Sequence, residues 1–333
     1  MNPMNPMTGL YGAAAALRNT LYDRGVLSSR RLDRPVVSVG NLSVGGAGKT
    51  PFVIALGELL QARGIRFDVL TRGYGRKTRG VLVVDPDGNA ANFGDEPLLI
   101  ARRLGVPVIV GESRYAAGRV AEQKFQSQLH ILDDGFQHRS LARDFDIVLL
   151  TERDFDDRLL PSGRLREPLS ALQRADAIVL PAGLAVGHPT SRRDAACRVS
   201  LGALQQKPIW RIERELVLPN LPSAPIVFCG IARPEQFFAQ VRAARITPAA
   251  EVVFRDHHAY DRSDVERLLA MRGELGSGGF LTTEKDAVNL GSLLLLQADL
   301  KPFAVAKLNL TIDRPNDVVD AILTGIREGK PRS

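Results

Sequence analysis

The 333-residue sequence is poor in aromatic side chains and cysteine, and it contains no long uninterrupted apolar run. Aromatic residues make up 6% of the chain, which argues against a surface that stacks on many nucleobases. The two cysteines, Cys197 and Cys229, have neither CxxC nor zinc-ligand spacing, so we expect core thiols in a reducing compartment. No apolar stretch approaches the roughly 20 residues that a helix needs to cross a bilayer.

Histidine is also scarce, with five in the chain, and this limits one possible class of site. Asp256-His257-His258 follows a predicted strand and resembles part of a metal-dependent phosphoesterase motif. Such sites need several more His and Asp ligands than this chain offers. A histidine beside an aspartate is nevertheless a suitable partner for a general base.

Positive charge is in excess, with 44 Lys and Arg against 37 Asp and Glu, a net charge of +7. This balance favours an anionic partner, such as a nucleotide, a phospholipid surface or nucleic acid. A solvated basic surface without a partner explains the charge equally well. The length favours two domains, and 44% hydrophobic with 24% charged residues is ordinary for a soluble globular protein.

Residues 9–17, GLYGAAAAL, are apolar, but no basic residue precedes them and Arg18 and Arg24 follow. That order is the reverse of a signal peptide, so we do not expect one. Helical spacing predicts an apolar stripe that either lies in a membrane interface or packs on its own domain. The stripe consists of Leu10, Ala14, Leu17 and Leu21.

Short apolar segments of strand type alternate with helical segments along the chain. Val36–Val39 precedes a glycine-rich loop and a helix over about Pro51–Arg63, and Leu129–Leu132 is typical of a buried strand. This alternation predicts an α/β fold of the P-loop NTPase type, a mostly parallel sheet with helices on both faces. We predict an amphipathic basic helical segment at 1–34, a P-loop domain at 35–205, and a smaller α/β domain with a connecting β-ribbon at 206–333.

The clearest motif is the glycine-rich segment between strand and helix. SVGGAGKT matches the P-loop pattern G-x-x-x-x-G-K-[ST], except that Ser43 replaces the first glycine. In such loops backbone N–H groups converge on phosphate oxygens at a helix N-terminus. We expect Lys49 to contact the β- and γ-phosphates of ATP and Thr50 to bind Mg²⁺. The predicted nucleotide contacts are Ser43, Val44, Gly45, Gly46, Ala47, Gly48, Lys49 and Thr50.

Carboxylates at two further points are candidates to complete the site. Leu129–Leu132 is followed by Asp133 and Asp134, a Walker-B layout whose end should lie beside the P-loop in a parallel sheet. A solvated Asp-Asp-Gly turn is the alternative interpretation. Asp95 stands just ahead of a helix, where the sequence by itself favours an N-cap over catalysis.

In combination, these residues resemble the tetraacyldisaccharide 4′-kinase family of lipid A biosynthesis. DDGFQH and GIARP together with the P-loop are highly specific, whereas any one of them alone is not. Two departures, Ser43 for glycine and Ser162 where we expect alanine, touch no proposed catalytic group. The motifs are GNLSVGGAGKTP (40–51), TRGYGRK (71–77), GDEP (94–97), ILDDGFQHRSLARDFDIV (131–148), LPSGRLREP (160–168), FCGIARPEQF (228–237), FRDHHAY (254–260) and TTEKDAV (282–288).

The resemblance implies a lipid kinase that uses ATP and Mg²⁺. Its acceptor would be the 4′-hydroxyl of a tetraacyldisaccharide 1-phosphate, and its product lipid IVA, a lipopolysaccharide precursor. Asp95 would be the general base with His257 as partner, although His258 is an alternative partner. The implied catalytic residues are Asp95, His257, Asp134 and Lys49, the metal ligands Thr50 and Asp133, and the substrate contacts Arg72, Arg114, Arg166 and Glu167.

The resemblance also implies where such an enzyme works. An N-terminal helical segment, matched here by 9–31, would bind an anionic membrane surface at the cytoplasmic face of the bacterial inner membrane. Peripheral attachment of this kind would give access to an acylated substrate. The lipid A disaccharide precursor is then the expected partner, with no nucleic acid and no obligate protein partner.

Two other functions are alternatives to the lipid kinase. A regulatory or partitioning P-loop ATPase is suggested by GGAGKT, but such proteins carry a lysine where this chain has Val44. A nucleic-acid-binding ATPase is suggested by the positive charge and predicts salt-sensitive binding to DNA. The latter gives no reason for DDGFQH or GIARP.

Overall fold

The computed structural model describes residues 6–184, 207–291, 293 and 300–329. Packing divides the chain into two compact units. Of the described residues, the first unit comprises 6–71, 113–184, 207–213 and 311–329, and the second unit comprises 72–112, 214–291, 293 and 300–310. Cys197 lies outside the described residues, whereas Cys229 is buried, and burial raises the pKa of its thiol to about 12. Cys229 is therefore an inert core thiol.

Helices and strands alternate over much of the described chain, as the apolar pattern predicts. The helices are α1 (Pro6–Asp23), α2 (Lys49–Ala62), α3 (Ala90–Phe93), α4 (Asp95–Leu104), α5 (Arg114–Lys124), α6 (Pro234–Ala243), α7 (Arg262–Leu275), α8 (Glu284–Leu290) and α9 (Pro315–Glu328). The strands are β1 (Val36–Asn41), β2 (Phe67–Thr71), β3 (Leu82–Val83), β4 (Val108–Val110), β5 (Leu129–Asp133), β6 (Phe145–Leu149), β7 (Ala177–Pro181), β8 (Ile209–Val217), β9 (Ile226–Cys229), β10 (Ala250–Val253), β11 (Phe280–Thr283) and β12 (Phe303–Ile312).

The first unit is built on parallel strands in the order β8-β7-β6-β1-β5-β2. Strands β1, β2, β5 and β6 are buried along their whole length, which explains their continuous apolar sequences. Helix α2 follows β1 and buries Phe52, Val53 and Leu56. The predicted fold class, a mostly parallel α/β sheet with helices, is confirmed.

The second unit has its own parallel strands in the order β10-β9-β11-β12, together with the antiparallel pair β3–β4. Phe228 on β9 lies at the centre of its core. The ring packs edge-on against Phe254, Tyr260 and Phe280, with centroids 6.1, 5.8 and 6.4 Å away. This aromatic cluster fixes the strands whose carboxyl ends carry the loops discussed below.

Residues 72–112 belong to the second unit, although the sequence interpretation placed them in a continuous P-loop domain at 35–205. Helix α4 packs against α8, where Arg103 Nη1 donates to Glu284 Oε1 at 2.9 Å across 181 residues of sequence. Helix α9 packs with α2 and β6 of the first unit. Neither association has a local sequence signal, because both depend on partners far away in the chain.

Helix α1 contacts the rest of the first unit through polar side chains, and most of its apolar stripe is exposed. Tyr11 donates to the Arg166 carbonyl at 3.1 Å, and Asn19 donates to Glu167 Oε2 at 2.6 Å. On the opposite side Leu10 and Leu17 are 65% and 61% exposed, and no residue of α1 is buried. Leu21, the last residue of the stripe, is half-buried, so the stripe is covered only in part, and its binding to a membrane interface stays a prediction. No helix in the described ranges is long and apolar enough to span a membrane.

Candidate functional site

The loop between β1 and α2 has the backbone conformation that its glycines predict. Gly45, Gly46 and Gly48 have φ angles of 81°, 37° and 83°, a region that side chains with a Cβ rarely occupy. Helix α2 begins directly after Gly48, at Lys49. The loop therefore leads into a helix N-terminus, the arrangement that favours a bound phosphate.

Lys49 lies beside the acidic end of β5. Its Nζ donates to Asn41 Oδ1 at 3.0 Å and lies 3.3 Å from Asp134 Oδ1. Arg166 approaches the same carboxylate with both terminal nitrogens, at 3.1 and 3.2 Å. Partial burial acts to raise the pKa of Asp134, but the charges of Lys49 and Arg166 outweigh it and lower that pKa. Asp134 is thus held as a carboxylate between two cations.

Asp133 and Asp134 take different positions although they are neighbours. Asp133 ends β5 in register with Val39, is 3% exposed, and accepts a hydrogen bond from Thr71 Oγ1 at 3.1 Å. Asp134 follows in a left-handed conformation with φ of 50°, unusual for a residue other than glycine. Strain of this kind is common where a side chain must be aimed at a site. The end of β5 therefore lies beside the P-loop, as the Walker-B pattern predicts.

In the second unit, the chain brings Asp95 and His257 together across 162 residues of sequence. His257 Nδ1 lies 2.8 Å from Asp95 Oδ2 and 3.1 Å from Oδ1. Asp95 opens α4 after Gly94 and also accepts from the Glu96 backbone N–H at 2.9 Å and from Asn289 at 3.2 Å. Gly94, with φ of 91°, is the N-cap residue, so Asp95 is not the cap that sequence alone favoured.

Protonation of the Asp95–His257 pair is governed by their contact. Burial acts to raise the pKa of Asp95, but the hydrogen bond from His257 and the Lys285 ammonium outweigh it and lower that pKa. The hydrogen bond to Asp95 raises the pKa of His257, against the opposing effect of burial. Asp95 is therefore a buried carboxylate that stays ionised, and His257 Nδ1–H donates a hydrogen bond to it.

The loop that carries His257 is fixed by a buried carboxyl group. Asp286 is fully buried and accepts from the Gly230 N–H at 2.8 Å, the Tyr260 hydroxyl at 2.8 Å and the Thr283 hydroxyl at 2.5 Å. These contacts join the loops after β9 and β10 to the first turn of α8. His257 itself has a left-handed φ of 57°.

His258, the alternative partner by sequence, is engaged elsewhere. Its Nε2 lies 2.7 Å from Asp264 Oδ2, and its ring stacks on Phe254 with centroids 4.8 Å apart. Between the two histidines, the structure therefore places His257 on Asp95. The chemical role of that pair stays a prediction.

The four predicted substrate contacts have different environments. Arg166 holds Asp134, whereas Glu167 is buried and accepts from Arg174 at 2.8 Å as well as from Asn19. Arg114 opens α5 and is buried in the first unit, and Arg72 is exposed in the second unit. Their contacts with a substrate stay predictions.

Three polar residues near the proposed chemistry were missed by sequence reasoning. Asn41 binds Lys49 and Arg166, Asn289 binds Asp95, and Lys285 lies beside His257. Asn41 and Lys285 fall inside quoted motifs and Asn289 directly follows one, and at such positions a polar side chain resembles ordinary surface. The TTEKDAV motif was the signal that could have drawn attention to Lys285.

Comparison with known proteins agrees with these features. The sequence model of the family described as LpxK, tetraacyldisaccharide-1-P 4′-kinase, matches residues 2–327. A tetraacyldisaccharide 4′-kinase of Koribacter versatilis is 46% identical and covers 96% of this chain and 98% of its own. One of Geobacter metallireducens is 39% identical, with 85% and 87% covered.

A solved structure shares the fold as well. The crystal structure of LpxK from Aquifex aeolicus in complex with ATP superposes with a TM-score of 0.75 and 34% identity. The match covers 96% of this chain and 98% of that one. The resemblance seen in the sequence motifs is thereby confirmed. This chain belongs to the tetraacyldisaccharide-1-P 4′-kinase family.

Proposed function

We propose that this protein transfers the γ-phosphoryl group of ATP to the 4′-hydroxyl of a tetraacyldisaccharide 1-phosphate. The observation that carries the proposal is the P-loop at α2, with Lys49 beside Asp134, in a chain of this family. A partitioning ATPase would share the loop, but it would not account for the family match over residues 2–327. Phosphoryl transfer of this type depends on positioning and on stabilising the charge of the phosphates.

The direct test is transfer of label from γ-labelled ATP to a tetraacyldisaccharide 1-phosphate in detergent micelles. We expect a labelled lipid that co-migrates with the 4′-phosphorylated product. The matched control is a disaccharide already phosphorylated at the 4′ position, which should accept no label. Hydrolysis of ATP without label on the lipid would contradict the proposal.

Asp95 fits the role of general base for the acceptor hydroxyl. It is ionised, it is buried, and His257 orients it at 2.8 Å. A base must be within hydrogen-bond reach of the proton it removes, and the hydroxyl would have to bind at the Asp95 carboxylate. His257 would support the carboxylate as it accepts the proton.

Thr50 and Asp133 fit the role of Mg²⁺ ligands, although the structure describes the protein alone. Hydroxyl and carboxylate oxygens are the hard donors that Mg²⁺ prefers. Mg²⁺ is usually bound through one or two protein oxygens together with substrate phosphates, and Thr50 and Asp133 offer two such oxygens. When bound, Mg²⁺ would neutralise phosphate charge.

Replacing Thr50 with valine should raise the Mg²⁺ concentration needed for half-maximal transfer by about tenfold or more, because one oxygen ligand is lost. Thr50→Ser keeps the hydroxyl and is the matched control, expected to remain within about twofold of the parent. The measurement is initial rate against free Mg²⁺ at saturating ATP. Identical Mg²⁺ dependence in the valine and serine variants would show that Thr50 is not a metal ligand.

Helix α1 fits the role of a membrane contact. Its outward side carries the exposed Leu10 and Leu17, while its inner side is held by polar hydrogen bonds. The arginines Arg18 and Arg24, also exposed, would face anionic headgroups. The acylated substrate would then be reached from a surface on which α1 lies.

Substituting Leu10 and Leu17 with glutamate should weaken binding to vesicles that contain anionic phospholipid, because apolar area is lost and negative charge is added. We expect at least a fivefold lower partition coefficient by sedimentation, on the order of 1 kcal/mol. Gln123→Glu with Gln126→Glu adds charge at two other exposed positions of the first unit and controls for net charge. Equal partition of the two double variants would argue against α1 as the contact.

A further inference from the structure

Lys285, in the first turn of α8, lies against the Asp95–His257 pair and is close to both of its members. Its Nζ is 3.3 Å from His257 Nε2 and 3.7 Å from Asp95 Oδ2. Asp256 Oδ1 holds the same ammonium at 3.0 Å. The lysine side chain is only 16% exposed, so its charge is largely shielded from solvent.

The chemistry of an ammonium group determines how His257 must bind it. An ammonium carries three donors and no acceptor, so it can bind Nε2 at 3.3 Å only while that atom carries no proton. The imidazole is then neutral, with its proton on Nδ1 and donated to Asp95. A protonated imidazole would turn an N–H toward the ammonium and place two positive charges side by side. Lys285 therefore opposes protonation of His257 while Asp95 favours it.

The described charged groups that act on the cluster are acidic apart from Lys285, and Asp256 Oδ2, 3.9 Å from His257 Nε2, acts with Asp95 to raise the pKa of that imidazole. Asp95, Glu96 and Asp256 act on the lysine, and although burial lowers the pKa of Lys285, their charges raise it above its ordinary value. The charge of Lys285 also acts to lower the pKa of Asp286, the next residue. The Tyr74 ring packs on His257 with centroids 5.2 Å apart. Lys285 thus stays cationic throughout the pH range in which Asp95 and His257 titrate.

The backbone beneath Lys285 is well fixed. Thr283 caps α8 by accepting from the Asp286 N–H, and Asp286 ties this turn to the loops after β9 and β10. The lysine is therefore presented by the same framework that presents His257. Its ammonium is held in addition by the carboxylate of Asp256.

We infer that Lys285 is a positioning residue whose ammonium disfavours an extra proton on the Asp95–His257 pair, so that His257 stays the neutral Nδ1–H tautomer and Asp95 is free to accept the proton of the acceptor hydroxyl. This inference rests on the proposed role of Asp95 as the base. It adds a third member whose charge sets the protonation state of the other two. Because the pair titrates as a unit, loss of the lysine should move its apparent pKa upward.

The first experiment is the pH dependence of kcat for Lys285→Met. Without the ammonium, a proton binds the Asp95–His257 pair more readily. We therefore expect the acidic limb of the kcat–pH profile to move about one pH unit toward neutral pH. The plateau kcat should fall about tenfold, less than for loss of the base itself, and KM for ATP should stay within about twofold. Lys285→Arg restores the charge and should return the limb to near its original position.

Arg103→Met is the matched control, because it removes a cation from the same α4–α8 contact at Glu284. Its acidic limb should stay in place. An equal shift in the Arg103 and Lys285 variants would reduce the effect to general charge and overturn the inference. An unmoved limb in a folded Lys285→Met protein would also overturn it.

The second experiment needs no change in activity and no variant at Lys285. Long-range ¹H–¹⁵N spectra of the imidazoles, assigned with His257→Gln, report the tautomer directly. At about pH 8.5 we expect a protonated Nδ1 and an unprotonated Nε2 for His257, the less common tautomer of free histidine. A protonated Nε2 in the parent protein would refute the inference. If Asp95 proved dispensable for turnover while this tautomer was present, the proposed base would fail and the lysine contact would stand.

Discussion

Lys49→Ala should abolish phosphoryl transfer, with a loss of about 10³-fold or more in kcat. Lys49 is the side chain at the start of α2 that can neutralise the transferred phosphate, and Asn41 holds its Nζ at 3.0 Å. Removing the ammonium leaves negative charge on the phosphate uncompensated as it moves. The measurement is initial rate of label transfer to the lipid at saturating ATP.

The control for this change is Lys124→Ala, an exposed lysine at the end of α5 in the same unit. It should keep both transfer rate and thermal stability. The Lys49 variant should also remain folded, because Arg166 still neutralises Asp134 with both terminal nitrogens. A folded Lys49→Ala protein with near-normal transfer would contradict the assignment of the P-loop.

Asp95→Asn should lose most turnover and keep its affinity for ATP. The amide has nearly the same shape but cannot accept a proton from a hydroxyl, so we expect a kcat lower by about 10²- to 10⁴-fold. Dissociation constants for ATP, measured by titration calorimetry, should agree within about twofold. Asp87→Asn changes an exposed aspartate of the same unit and should alter neither quantity. Unchanged turnover in the Asp95 variant would remove Asp95 as the base.

The phosphate-binding loop of the first unit could be predicted from sequence because its signals are local. Gly45, Gly46 and Gly48 are spaced for a loop that only glycine accommodates, and Lys49 and Thr50 follow at fixed positions. The strand before and the helix after are both readable from apolar periodicity. The same holds for Asp133, which ends an apolar strand.

The Asp95–His257 pair could be anticipated only from family resemblance, because 162 residues separate its members. Lys285 was not predicted, since a lysine in the first turn of a helix normally faces solvent. Periodicity predicts an apolar stripe on α1 but does not indicate whether it faces the protein or the solvent. In the structure Leu10 and Leu17 of this stripe face the solvent. Long-range packing settles these points, and it leaves no mark in a short stretch of sequence.

The hydrogen bond from Tyr11 to the Arg166 carbonyl determines how far Arg166 lies from the exposed side of α1. Arg166 binds Asp134, which also neighbours Lys49, so the inner side of α1 touches the backbone of the phosphate site directly. A helix with its side chains is about 10 Å across. Any surface that Leu10 and Leu17 touch would therefore lie roughly one helix diameter from Arg166. If that surface is a lipid bilayer, the sugar headgroup of a substrate would have to move out of it by only this distance. Its acyl chains would stay among the lipid chains.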